Sequence, residues 1–516
     1  MKNPLGIDIP DHIEDYGDVR QYKGAFGSLG TIKKYSPMVR CFEPGDEKLL
    51  ESISMAIEKT GLQNGMTVSF HHHLRNGDKT VNLVMAAIDE AGLKDIHLAA
   101  SGLFPCHEPL VDMMERGVIT KVTTSTFNPG AVAKAITAGK LKNPAVLMSH
   151  GGRARAIERG DLQIDVAFIA APSCDIRGNM NGTQGKSACG YLSYSYADAQ
   201  YAGNVVAITD ELVRYPCCPA EISQDLVDYV VKVDSIGDPK GIVSGTTKIT
   251  DDPVRLQIAD NAAMLAAASG YIKQNMSFQT GASSTALAVA AKVREIMIEK
   301  NITGSFGLGG IHAFFVKMLE EGLFQHLQDV QCFDLEAVAS AGSNEKHIPI
   351  SGSRYANPHN KGSVVNDLDI VILGATEIDV DFNVNVVTGS NGVIMGASGG
   401  HSDCAAGSKL CIVVANLTRK QFCIVRDRVT TITTPGETVD AFVTEHGIAI
   451  NPLRTDLISA VKDSGLPVTD IHKLKAKGEE LAGEQHSVEV SDRVVGIVEY
   501  RDGTVIDLVR QPLNEV

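Results

Sequence analysis

The sequence predicts an α/β protein built from two tandem open-sheet units, each a parallel sheet with helices on both faces, related by internal duplication. Three observations carry this prediction. Short apolar runs alternate with amphipathic segments along most of the 516 residues, the β-α-β-α rhythm of a parallel sheet covered by helices. An ordered series of residues recurs at a constant spacing. The length also exceeds the size at which one hydrophobic core keeps growing.

In chain order, residues 1–45 read as an irregular arm, because Pro4, Pro10, Pro37 and Pro44 interrupt every periodic pattern. From Asp46 a helical spacing sets in (Leu49, Leu50, Ile53, Ala56, Ile57), closed by Gly61. Strands are expected at 66–70, 97–100, 146–148 and 166–169, with helices at 81–91 and 111–116. Asp165, Asp175, Asn179 and Asn181 then return as Asp369, Asp379, Asn383 and Asn385, each 204 residues later. Ser69-Phe70 returns as Ser277-Phe278 at a spacing of 208. The first unit therefore spans 46–235 and the second 236–516. The second ends in a hairpin of strands 495–500 and 504–509 around Arg501-Asp502-Gly503.

Composition narrows the function. A net charge of −15 argues against a nucleic-acid or membrane-surface binder. No apolar run is long enough to span a bilayer, and the start of the chain lacks the apolar core of a signal peptide. The ten cysteines are scattered without a CxxC pair, which suits reduced thiols in the cytoplasm and no metal site.

Candidate chemistry lies at predicted strand ends. His71, His72, His73 and Arg75 follow the strand at 66–70, where imidazole and guanidinium suit an anionic ligand. A metal site and a solvated polar loop are the alternatives. Arg177 follows the strand at 166–169 and is read either as another anion contact or as half of a surface ion pair. Gln279, Thr280, Gly281 and Ala282 take the place of the histidines in the second unit. Their small residues suit backbone donation to an oxyanion, or an ordinary turn. The stretch from Gly389 through Ser390, Asn391, Gly392, Gly396, Gly399 and Gly400 is a glycine-dense turn after a predicted strand at 384–387. Such turns bring backbone N–H groups close to ligands. Nucleotide loops are disfavoured, since Gly185-Lys186-Ser187 has Met180 where a P-loop needs glycine.

The duplicated unit with an Asn-x-Asn pair in each copy and the Ser390-Asn391-Gly392 turn resemble the CoA-transferase superfamily. The run His71–Asp78, the run Asp175–Asn179 and the stretch Gly389–Asp403 more closely resemble the citrate lyase α-chain family. The resemblance implies exchange of acetyl for citryl on the thioester of an acyl-carrier protein, releasing acetate. It implies citrate and acetate as small-molecule partners, with a carrier (γ) subunit, a citryl-cleaving (β) subunit and a homo-oligomer within that complex. No cofactor would be attached to this chain. The thioester would sit on a CoA-derived prosthetic group of the carrier, with acetyl-CoA as its analogue.

It further implies a substrate side of His71, His72, His73, Arg75, Arg177, Asn179 and Asn181. The thioester side would comprise Gln279, Asn383, Asn385, Gly396, Gly399 and Gly400, with Ser390, Asn391, Gly392 and Gly281 at the reacting carbonyl. Ordinary CoA-transferases carry Glu before the Asn-Gly of this turn, and here Ser390 takes its place. A serine without an adjacent base is a weak nucleophile, so direct attack by citrate's own carboxylate, through a mixed anhydride, is the expected route. A general carboxylate CoA-transferase using free CoA and a non-catalytic assembly subunit are the competing readings.

Overall fold

The structure is a computed structural model that describes residues 2–27, 42–243, 249–281, 283–483 and 487–513. The first sheet contains β1 (Leu49–Leu50), β2 (Thr67–Phe70), β3 (Ile96–Ala100), β4 (Ile119–Thr124), β5 (Ala145–Leu147), β6 (Val166–Ala171), β7 (Asn204–Thr209) and β8 (Tyr229–Lys232). The second contains β9 (Ser277–Thr280), β10 (Gly304–Ile311), β11 (Phe324–Cys332), β12 (His347–Pro349), β13 (Ile370–Gly374), β14 (Leu410–Val414), β15 (Ala441–Thr444), β16 (Gly447–Ile450) and β17 (Val468–Thr469). A terminal hairpin follows, β18 (Val490–Glu499) and β19 (Val505–Pro512).

The first sheet runs β19-β18-β5-β4-β3-β2-β6-β7-β8-β1 and the second β12-β11-β10-β9-β13-β14-β15-β16-β17. Pairing is parallel except within the hairpin and between β15 and β16. The two sheets share a winding. From β2 the chain moves outward through β3, β4 and β5, then returns to the other side of β2 with β6. From β9 it moves through β10, β11 and β12 and returns with β13. The order reverses between β2 and β6 and between β9 and β13, and crevices at such reversals are where α/β sheets bind ligands.

Alternation along the second-sheet strands sorts the core. Ile370, Ile372, Leu410 and Ile412 join an apolar cluster shared with the first sheet. Val371, Leu373, Cys411 and Val413 face a second cluster on the opposite side.

Two sequence expectations fail here. The terminal hairpin follows the second unit in sequence but extends the first sheet, with Gly496, Ile497 and Val498 pairing in parallel with Ala145, Val146 and Leu147. Pairing removes an exposed edge from the three-residue β5, a long-range gain that local pattern does not encode. The helix expected from Asp46 starts instead at Ile53, where Ser52 accepts from the Met55 N–H. Leu49 and Leu50 form an edge strand against Val230 and Val231. Gly61 does close that helix, at φ 66°.

Candidate functional site

The loop after β2 enters the crevice of the first sheet. His71, His72 and His73 are all buried. The His72 Nδ1 lies 2.7 Å from Ser101 Oγ, and its ring stacks on Tyr194 at 4.9 Å and His150 at 5.7 Å. That ring occupies the space a side chain at position 102 would need, 2.7 Å from a Cβ built on Gly102. His71 Nε2 sits 3.1 Å from Asp198, whose carboxylate also takes both arms of the Arg153 guanidinium at 2.7 and 2.8 Å. Burial drives His73 and His150 down to about 3 and His72 well below its ordinary value. The histidines are therefore neutral donors and acceptors near neutral pH, not the cationic cluster the sequence suggested.

Arg75 is the cation of this loop. Its guanidinium packs over the Phe333 ring at 4.7 Å and the Phe104 ring at 5.6 Å. No carboxylate among the described residues pairs with it. Arg75 adopts φ 51°, a left-handed conformation held by the turn in which its N–H donates to His72 O. The second unit grips the same loop, because Gln331 Nε2 donates to the His72 carbonyl at 2.8 Å.

Opposite, the ends of β9, β10, β11 and β13 and the segment 386–401 enclose a cleft of about 250 Å³, with His150 and Tyr194 from the first unit. Gln279 Nε2 donates to Tyr355 Oη (2.8 Å), Tyr355 Oη lies 2.9 Å from Cys404 Sγ, and Cys404 lies 3.3 Å from Gln279 Oε1. This closed triangle fixes the Gln279 amide beneath the cleft. Asp403 ties the floor to the first unit, accepting from Ser149 Oγ (2.8 Å) and the Gly151 N–H (2.9 Å) with Arg501 3.6 Å away. Burial raises the Asp403 carboxyl to about 6. The backbone N–H groups of Ala397, Ser398 and Gly400, all cleft-lining residues, have no acceptor among the described residues. No aspartate or glutamate is among the described residues that line the cleft.

Residues 46–512 match the sequence model of the family described as citrate lyase, alpha subunit. The chain is 47% identical over 472 residues to the citrate lyase alpha chain of Klebsiella pneumoniae, covering 92% of this chain and 93% of that one. The chain belongs to the citrate lyase α-subunit family. A solved structure described as the alpha subunit of citrate lyase from Streptococcus mutans in complex with citrate superposes with a TM-score of 0.96. It is 47% identical and covers 99% of this chain and 100% of that one. A malonate decarboxylase alpha subunit from Acinetobacter baumannii, 16% identical, has a TM-score of 0.62 over 84% of this chain and 88% of its own, a likeness of fold. No helix among the described residues is long and apolar enough to cross a membrane.

Within this family member, the sequence candidates divide. Gln279, Gly281 and Gly400 line the cleft, while His72 and Arg75 stack on its lining residues Tyr194 and Phe333. It does not bring Arg177 there. That side chain is exposed and donates to the Asp46 carbonyl beside β1. The Asn pairs are also elsewhere engaged. Asn179 donates to Asp175 and accepts from the Gln224 N–H; Asn383 donates to Asp379 and accepts from the Gly436 N–H. Asn181 accepts from the Thr183 and Gln184 N–H groups, and Asn385 from those of Val387 and Thr388. These amides hold loops together.

Gly281 is no oxyanion donor, since its N–H bonds to the Ile372 carbonyl at 2.8 Å. Ala282 lies outside the described residues. Ser390, Asn391 and Gly392 form the tip of a small hairpin (Thr388 bridged to Ile394) whose Gly392 N–H closes on Gly389. That tip lies outside the cleft lining. Gly396 packs against the Val386 carbonyl, and the Gly399 N–H donates to Ser125 O.

Sequence reading missed Tyr194, Tyr355 and Phe333, because aromatic residues carry no motif until the fold converges them. Gly310, near the end of β10, also lines the cleft. A buried group of Asp329, Cys332 and His347 also went unseen. Cys332 Sγ and His347 Nε2 lie 3.0 and 3.1 Å from one Asp329 oxygen, a self-contained hydrogen-bonded set.

Proposed function

We propose that this chain exchanges acetyl for citryl on the thioester of an acyl-carrier protein, by direct attack of citrate's own carboxylate. The supporting observation is the cleft itself, set at the strand-order reversal of the second sheet, with the Arg75 guanidinium stacked on its lining residue Phe333 and no carboxylate among its described lining residues. An enzyme-bound anhydride needs such a carboxylate; citrate supplies its own, already ionised near neutral pH.

In this reading Arg75 holds a spectator carboxylate of citrate, while neutral His72, fixed by Ser101, offers its other ring nitrogen. Burial favours the neutral form, which avoids repelling the guanidinium. The attacking carboxylate oxygen adds to the acetyl carbonyl carbon, and the C–S bond breaks to release the thiolate. The mixed acetyl-citryl anhydride so formed is opened at its citryl carbonyl by the same thiolate, and acetate leaves. Atoms balance with no net proton. The N–H groups of Ala397, Ser398 and Gly400 are the donors for developing oxyanion charge, where each is worth about 3–4 kcal/mol. Holding both reactants in one cleft contributes roughly 7–11 kcal/mol more.

In this reading the carrier and a citryl-cleaving subunit are the partners, and the family's name for a citrate-cleaving complex supports it. The test is label exchange between free carboxylate and acetyl-carrier. Citrate should exchange at least a hundredfold better in kcat/KM than propionate or butyrate. Equal rates with simple monocarboxylates and free CoA would instead assign a general CoA-transferase.

A further inference from the structure

A second concavity lies at the tip of the hairpin that the cleft segment sends outward. It has a volume of about 270 Å³ and is walled by Gly392, Arg426, Arg428 and, from the terminal strands, Val490 and Arg510. Three guanidiniums around one small pocket are unexpected in a chain of net charge −15. Arg426 is partly neutralised by Glu377, 3.6 Å from its Nε. The Glu377 carboxylate is itself held by Thr430 and Asn385. Arg428 and Arg510 have no carboxylate within ion-pair distance among the described residues; Arg510 donates only to the Asp492 carbonyl. The other acid facing them, Asp507, is buried and accepts from the Ile432 and Leu508 N–H groups. The pocket thus keeps net positive charge within a concave wall, which focuses an electrostatic field on an anion.

Guanidinium forks match phosphate oxygens in pairs, whereas a lone carboxylate would engage one of them. The pocket also connects to the cleft through one short segment. Gly392 lines the pocket and Ala397 the cleft, five residues apart, or about 16 Å of extended chain at most. An acyl group presented on a long arm needs an anchor at that kind of remove from the reacting carbonyl. We propose that the Arg428–Arg510 pocket binds the diphosphate of the CoA-derived group that bears the thioester. The inference rests on the thioester-exchange reading and adds the site that grips the far end of the thioester substrate.

Calorimetric binding to the full chain tests it with three probes: acetyl-CoA, acetyl-pantetheine, which lacks the diphosphate, and inorganic pyrophosphate. In the Arg428→Gln/Arg510→Gln double variant, acetyl-CoA and pyrophosphate should each bind at least tenfold more weakly. Acetyl-pantetheine should bind both proteins alike. Unchanged acetyl-CoA affinity overturns the proposal. If pyrophosphate weakens while acetyl-CoA does not, the pocket serves a free phosphate instead, which overturns it equally. Arg428 is exposed and Arg510 half-buried, and an Arg428→Lys/Arg510→Lys variant that recovers part of the affinity guards against a folding defect. None of these readouts needs citrate turnover. Failure of acyl exchange with all three binding results intact would therefore count against the functional reading and not against this site.

Discussion

The two copies of the repeat are alike where they hold loops and unlike where they face the cleft. In both, an aspartate (Asp175, Asp379) accepts from an asparagine side chain four residues on (Asn179, Asn383), and that asparagine accepts from a distant backbone N–H. At the ends of β2 and β9 the copies part company. After β2 come three buried neutral histidines and the unpaired cation Arg75; β9 ends in Gln279 and Thr280 and is followed by Gly281. Duplication preserves what both sheets need to fold. The single site lies where the copies have been free to differ.

The difference can be broken from either side, and the largest effect is expected at Arg75. Replacing it by Met keeps bulk and removes a charge-assisted contact worth about 1.5–3 kcal/mol. The expected outcome is a 10- to 100-fold lower kcat/KM for citrate, with acetyl-CoA affinity little changed. A fall confined to acetyl-CoA would place Arg75 on the thioester side.

The shared clips should behave oppositely. Asn179→Ala and Asn383→Ala each take one donor from a buried carboxylate and leave a backbone N–H without its acceptor, at a cost of about 1–3 kcal/mol. Chemical denaturation should show similar losses for both, while kcat of the folded fraction holds. A selective loss of kcat in Asn383→Ala would return that residue to the site.

The neutral histidines predict a pH signature. His73 and His150 sit at about 3 when folded and near 6.5 when unfolded. Their contribution is complete above about pH 6.5 and is lost as pH falls toward 3. At pH 5 each accounts for about 2 kcal/mol of lost stability. His150→Gln should flatten the stability-pH profile between 6.5 and 4, read by denaturant midpoints. An unchanged slope would mean that the imidazole is already protonated in the fold. The raised Asp403, near 6, acts with the opposite sign, losing stability as pH rises from about 4 to 6.

The smallest effect should come from Ser390. It occupies the hairpin tip rather than the cleft lining, so Ser390→Ala should change kcat less than threefold.

Much of this was readable from the chain. The repeat spacing located β2, β6, β9 and β13, and the loop after β2 was marked by its own residues. Three things were not readable. The hairpin joins the first sheet by a pairing across several hundred residues, which no local pattern encodes. The Asn pairs look like ligand contacts until their amide partners are seen in space. The walls formed by Tyr194, Tyr355 and Phe333 arise only when both crevices meet. Charge was misjudged for a related reason, since burial, invisible in sequence, decides that the histidines are neutral.

The central claim is that citrate, not the protein, supplies the attacking carboxylate. Mixing the full chain with acetyl-CoA in the absence of citrate and measuring its intact mass tests this most directly. The expected result is unmodified protein together with rapid acetyl-to-citryl exchange once citrate and carrier are added. A stoichiometric acyl or CoA adduct on the chain, formed without citrate and discharged by it, would contradict the account.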